Sequence, residues 1–457
     1  MNQIPENVNL LYSRLILAQI QRLGIYNFIL SPGLRNAPLM IALKGIQKEY
    51  QNVEVSIALD ERAAGYMALG QYKACGLPSV LICTSGTAMA NYYPAILESQ
   101  KTNSPVIIIS ADRPQELHFE SSNQTMDQLN LFKSLKDKTL NLPIQDTGMS
   151  LQSCFTQVER YIQSALNGEV VHLNFPFREP LDVTPEKISE HLLEEYQLLI
   201  KQRPTNLMKS SESQISFDAS MFTNKNGLLV IGELNSALSL QEREVLSLFI
   251  RKCPWPKVID ISTSLKYNYS LAENSFPSFD HPEVYQAFEE LNPDIILHLG
   301  GKLTSKKYHQ FIYQNQIPII KVSNDKNTER ALSRVNQYFA IEPHEFANSF
   351  LKQEMSFSLR EEKFIEKIQQ KIIPIIHKKI EIIEQAEFTF PKISKCIVEQ
   401  LQEKSDLYIG NSTAIRSFDS YSSLNQKKSL SIHSHRGVSG IEGFLAASSS
   451  FHKSKPN

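Results

Sequence analysis

Ala58-Leu59-Asp60-Glu61-Arg62-Ala63-Ala64-Gly65 stands at the end of an apolar run and the start of a helix-like stretch. Two elements later comes Thr84-Ser85-Gly86-Thr87-Ala88. A carboxylate at a strand-to-helix turn, followed by a small-residue loop that opens the next helix, points to a cofactor pocket. Such a pocket suits a flat, polar heterocycle tuned by an acid. Read alone, Glu61 is more simply a first-turn helix carboxylate favoured by the helix dipole.

Outward from this pair the chain alternates strands and helices. Val8 to Leu23 carries apolar positions at helical spacing and stops at Gly24. Strands are predicted at Tyr26 to Leu30, Val53 to Leu59, Ser79 to Cys83, Val106 to Ser110 and Val170 to Phe175. Short, continuously apolar strands separated by helices imply a parallel sheet covered on both faces. The class is therefore α/β, with doubly wound parallel-sheet domains. Residues 1–181 form the first domain, and the polar stretch 182–226 reads as a linker with one amphipathic helix near Ile188 to Lys201.

A second α/β domain, 227–350, is predicted from runs at Gly227 to Gly232, Val258 to Ile261, Ile295 to Leu299 and Ile319 to Val322. Gly232 follows a strand without a GxGxxG, which argues against a dinucleotide site there. Residues 351–389 read as connecting helices, with a kink or break at Pro374. A third α/β segment, 390–457, has strands at Leu407 to Ile409 and near Leu430 to His433. From Ser448 onward no periodicity is visible, so this third domain reads as incomplete.

Composition narrows the function classes. A formal net charge of −1 offers no basic field for nucleic acid or an anionic membrane. The five cysteines show no CxxC or metal-ligand spacing, as in a reducing, cytoplasmic setting. No apolar run approaches the roughly 20 residues needed to span a bilayer, and the first residues carry no secretory signal pattern.

Several blocks together resemble one family. Ser31-Pro32-Gly33-Leu34-Arg35-Asn36-Ala37-Pro38-Leu39, Asp60-Glu61-Arg62 and Thr84 to Ala88 come first. Ala111-Asp112-Arg113-Pro114, Asn123-Gln124 and Val171 to Phe177 follow, then Gly410-Asn411-Ser412 with Arg416, and Arg436 to Ile441. In this order the chain is similar to the 2-succinyl-5-enolpyruvyl-6-hydroxy-3-cyclohexene-1-carboxylate synthases, thiamine-diphosphate enzymes of menaquinone (vitamin K2) biosynthesis. The likeness runs from about residue 8 to 447 and is weakest through the middle domain.

The resemblance implies thiamine diphosphate with Mg2+ or Mn2+ as cofactors, and 2-oxoglutarate and isochorismate as substrates. It also implies a homodimer or a dimer of dimers with active sites between subunits. Glu61 would be the catalytic acid against the aminopyrimidine, beside cofactor-binding Thr84, Ser85, Gly86 and Thr87. Ile441 would bend the cofactor from beneath; plain core packing is the other reading of that residue. Arg35, Arg113, Gln124, Lys306, Ser412, Arg416 and Arg436 would bind the anionic substrates, since Arg grips carboxylates through a planar fork.

Three departures from the family pattern stand out. Leu34 replaces the usual Ser between Gly and Arg of the first block, and Lys306-Lys307 stands where Lys-Arg is common. An ordinary exposed helix start explains Lys306 equally well. A Gly-Asp-x-Ser-like turn with a later Asn, the family's oxygen ligands for the metal, has no counterpart after Arg436, so no metal ligands are assigned. That departure reads as a truncated terminus, and an inactive fragment of the enzyme is one alternative expectation. Another thiamine-diphosphate 2-oxoacid decarboxylase or carboligase is the second.

Overall fold

A computed structural model describes residues 5–118, 120, 122–146, 150–202, 216–234, 238–271, 273–324, 335–422 and 428–454. Its contacts divide the chain into two compact units. The first comprises Met1–Ser210 with His435–Asn457, and the second Ser211–Ser434.

The first unit is built on a six-stranded parallel sheet of β1 (Asn27–Leu30), β2 (Glu54–Ile57), β3 (Ser79–Cys83), β4 (Val106–Asp112), β5 (Thr139–Asn141) and β6 (Val171–Pro176), in the order β2-β1-β3-β4-β6-β5. Val80, Ile82, Ile107, Ile108 and Ile109 are fully buried, because helices cover both faces and leave no solvent side. Helix Val8–Arg22 starts where the Asn7 side chain accepts from the Leu10 amide. Helix Glu190–Leu199, within the stretch expected to be a linker, buries Leu192, Tyr196 and Leu199 in this unit's core.

The chain steps from β1 to β2 on one side, then returns to place β3 on the other side of β1. The carboxyl ends of β1 and β3 thus form the topological switch point, where open α/β sheets hold ligands.

The tail differs from its aperiodic reading. Helix Phe444–Ser454 packs on helix Glu61–Cys75 and buries Ala447, Ser450 and Phe451. Its 3.6-residue period is carried by Ala and Ser, which hydropathy patterns register poorly.

The second unit holds another parallel sheet: β7 (Gly227–Ile231), β8 (Lys257–Ile259), β9 (Ser275–Phe276), β10 (Ile295–Leu299), β11 (Ile319–Val322) and β12 (Val335–Phe339), ordered β12-β11-β10-β7-β8-β9. At its switch point, between β7 and β10, backbone bridges the two loops: Gly301 N donates to Glu233 O at 2.6 Å and Glu233 N to Lys302 O at 3.1 Å. Of the kink or break expected at Pro374, the break is absent. Phe364–Gln385 is one helix, and Phe364, Ile368 and Ile372 anchor the part before the proline in the core. That burial offsets the roughly 3 kcal/mol cost of an internal proline. Residues 390–434 add the two-stranded parallel sheet of β13 (Asp406–Tyr408) and β14 (Ser431–His433).

Burial brings the His172 imidazole down to about 3 and, with Lys379 adding to the effect, His281 to about 4. An unfolded chain protonates both below about pH 6.5 while the folded chain leaves them neutral. Stability is therefore complete above pH 6.5 and falls on acidification. Between pH 6.5 and 5 the loss is about 2 kcal/mol for each histidine. Urea denaturation at both pH values reads this, and an unchanged midpoint would contradict it.

Candidate active site

The switch point of the first sheet is formed by two loops that touch. After β1, Asn36 closes the Ser31–Asn36 turn: its Oδ1 accepts from Gly33 N at 2.9 Å and its Nδ2 donates to Ser31 O at 2.9 Å. A Cβ on Gly33 would lie 2.5 Å from the Thr84 Cβ, so only glycine allows the loop after β3 to approach this closely.

Arg113, at the end of β4, binds across the same edge. Its Nη1 donates to Ser85 Oγ at 2.6 Å and to Gln124 O at 2.9 Å. Gln124, held at φ 61°, returns a bond from Nε2 to Ser85 O at 2.9 Å. Arg35, after β1, donates from Nη1 to Phe177 O at 3.1 Å. Burial, with Arg113 as the next cause, pushes the Arg35 guanidinium below its ordinary value, while Glu179 and Asp112 partly counter this. Two neighbouring arginines that repel each other suit an anion chemically, because an arriving carboxylate would relieve the repulsion.

Glu61 opens helix Glu61–Cys75, capped by Asp60, whose side chain accepts from Ala63 N. It is half-buried. Burial first, and Glu61 as a lesser cause, raises the Cys83 thiol and the Tyr92 phenol, so the carboxylate lies within electrostatic reach of the end of β3. Just before it, Ile57 and Leu59 are 69% and 83% exposed. An acid beside uncovered apolar surface, after β2 and within reach of the end of β3, fits a flat, polar heteroaromatic ring such as an aminopyrimidine. Thr84 is half-buried, Ser85 and Gly86 are buried, and Thr87 is exposed at the start of helix Thr87–Ala90.

The Arg436–Ile441 block belongs to the same unit. The fully buried Glu98 carboxylate accepts from the amides of Gly437, Val438 and Ser439 at 2.6, 2.6 and 2.9 Å. Glu442 accepts from the Tyr66 hydroxyl at 3.0 Å, which ties the block to the helix that Glu61 begins. Arg436 is half-buried. Ile441 is 79% exposed, so core packing is not its role.

Lys306, Ser412 and Arg416 lie in the second unit and all are exposed. Lys306 is the first residue of helix Lys306–Asn315. Ser412, at φ 63°, precedes the short helix Thr413–Ser417 that carries Arg416. A buried cluster underlies both segments: Asp260 accepts from Thr304 Oγ1 at 2.9 Å, and Asp419, just after Arg416's helix, accepts from Lys266 Nζ at 2.7 Å and Ile261 N at 3.0 Å. Burial, with Asp419 next, pushes the Asp260 carboxyl above its ordinary range.

Gln128, Asp112 and Asn174, which form hydrogen bonds beneath Gly86 and Arg113, were not among the expected site residues. The available signal was polarity inside apolar strands, as in Val171-His172-Leu173-Asn174-Phe175. Among the described residues no group of three or more His, Cys, Asp and Glu side chains could hold a metal ion, and no helix is long and apolar enough to cross a membrane.

A doubly wound sheet with an acid after β2 and a small-residue loop after β3 fits the cofactor-binding domain of a thiamine diphosphate enzyme. Residues 12–131 match the family model for the N-terminal TPP binding domain of thiamine pyrophosphate enzymes. A 2-succinyl-5-enolpyruvyl-6-hydroxy-3-cyclohexene-1-carboxylate synthase from Syntrophus aciditrophicus (strain SB) is 32% identical across 98% of this chain and 77% of its own length. Synthases of the same name from Chlorobium phaeobacteroides (strain BS1) and Flavobacterium johnsoniae are each 31% identical, over 96% and 98% of this chain and 75% and 78% of theirs. The chain belongs to the 2-succinyl-5-enolpyruvyl-6-hydroxy-3-cyclohexene-1-carboxylate synthase family.

Proposed function

We propose that this protein decarboxylates 2-oxoglutarate and adds the resulting succinyl unit to isochorismate, with thiamine diphosphate and Mg2+ or Mn2+, in cytoplasmic menaquinone biosynthesis. The observation that supports this reading is that Arg35 and Arg113, at the carboxyl ends of β1 and β4, lie within electrostatic reach of each other in the unit that also carries Glu61. When bound, the cofactor supplies an electron sink for the pair left as carbon dioxide departs. Glu61 holds a proton against the ring nitrogen of the aminopyrimidine. Thr84, Ser85, Gly86 and Thr87 would border the cofactor, and the exposed apolar side chain of Ile441 would support it from beneath.

Arg35 and Arg113 orient substrate carboxylates, with Gln124 steadying Ser85, which accepts from Arg113. By the family resemblance, Arg436 in the first unit and Ser412, Arg416 and Lys306 in the second are further candidate ligands for substrate anions, in a homodimer or dimer of dimers. A neutral aldehyde acceptor would need no such cation set, which favours isochorismate over the substrates of simple 2-oxoacid decarboxylases.

Incubating the chain with both substrates, thiamine diphosphate and Mg2+ should yield the carboligated adduct by mass spectrometry. Formation of succinic semialdehyde at the same rate with and without isochorismate would sink the carboligase reading in favour of a simple decarboxylase.

A further inference from the structure

A closed ring of hydrogen bonds links the two loops that bear Gly86 and Arg113. Gln128 is 1% exposed, and its Oε1 accepts from Gly86 N at 2.8 Å. Its Nε2 donates to Asn174 Oδ1 at 2.9 Å. Asn174, equally buried, donates from Nδ2 to Asp112 Oδ2 at 3.0 Å. Asp112 Oδ1 accepts from Arg113 N at 2.8 Å. Arg113 Nη1 then closes the ring on Ser85 Oγ at 2.6 Å, one residue before Gly86.

A primary amide is planar and both donates and accepts, so Gln128 and Asn174 each transmit orientation from one neighbour to the next. Fully satisfied buried networks of this kind rigidify the groups they join. Gly86 stands at φ 78° and has no side chain, so the bond from its amide to the Gln128 carboxamide ties this turn to its neighbours.

We propose that Gln128 is a positioning residue that makes the Ser85–Gly86 turn and the Asp112–Arg113 turn one frame, so that the Arg113 guanidinium is held ready for a substrate carboxylate. Gln128 itself touches neither substrate nor cofactor. This rests on the reading of Arg113 as an anion ligand, but the frame can be tested separately from that reading.

Two variants of the full chain distinguish the roles. Gln128→Met removes every polar contact at similar volume. Gln128→Glu keeps an acceptor for Gly86 N and loses the donor to Asn174. Amide hydrogen exchange is compared at Gly86, at Arg113 and at Ile29 as a core reference. In Gln128→Met, exchange at both Gly86 and Arg113 should quicken by about tenfold relative to Ile29. In Gln128→Glu, Gly86 should stay protected while Arg113 quickens. In turnover, both variants should raise the 2-oxoglutarate KM by about tenfold with kcat within about twofold of the parent.

Unchanged exchange at Arg113 would overturn the proposal, because Gln128 would then serve only its own loop. Equal acceleration at Ile29 would overturn it too, as a general loss of stability. If the parent chain turns over no 2-oxoglutarate, the functional reading fails alone, and exchange at Arg113 still decides the frame.

Discussion

Glu61→Gln is expected to lower kcat by about 10²- to 10⁴-fold, the range that a positioned acid or base contributes. The amide keeps the size and planarity of the carboxyl group but cannot exchange a proton with a ring nitrogen. Folding should barely register the change. Glu61 is a half-buried first-turn residue whose helix cap is made by Asp60, not by itself. The lost helix-dipole attraction is worth about 0.3–1 kcal/mol. Measuring kcat and the thermal midpoint side by side checks both halves; full turnover in the variant would remove Glu61 from its proposed role.

Arg113→Gln is expected to raise the KM for 2-oxoglutarate by about 10- to 150-fold, from the 1.5–3 kcal/mol carried by a hydrogen bond to a charged group. Three effects combine in the loss. The fork that faces the anion disappears, the contacts to Ser85 Oγ and Gln124 O go with it, and Arg35 loses the neighbour whose repulsion an anion relieves. Arg113→Lys should restore only part of the affinity, because a point charge cannot replace the planar fork. Steady-state kinetics at fixed ionic strength test this. An unchanged KM in the glutamine variant would place the substrate carboxylates elsewhere.

Much of this architecture was legible because buried parallel strands write continuous apolar runs. Ser79–Cys83 and Ile295–Leu299 have the bounds their sequence suggests. The elements that escaped notice carry weak patterns for physical reasons. Thr139–Asn141 and Val335–Phe339 lie at sheet edges, where fewer side chains are buried and no apolar run is required. The Phe444–Ser454 helix hides its period in small residues, and the proline of Phe364–Gln385 is tolerated because core packing outweighs a local rule. At the site, Glu61, Arg35 and Arg113 stand at strand ends, where sequence motifs and topology coincide. Gln128 sits in an irregular segment, and its meaning emerges only when Gly86, Asn174 and Asp112 are brought around it in space.

The reading of Glu61 and the arginine pair as one carboligase site is tested most directly by release of labelled carbon dioxide. The label is carried at C1 of 2-oxoglutarate, thiamine diphosphate and Mg2+ are present, and isochorismate is added or withheld. Parent chain should release label rapidly only when isochorismate is present, and Glu61→Gln should release about 10²-fold less or lower still. Release that ignores isochorismate, or that survives intact in Glu61→Gln, would contradict the account.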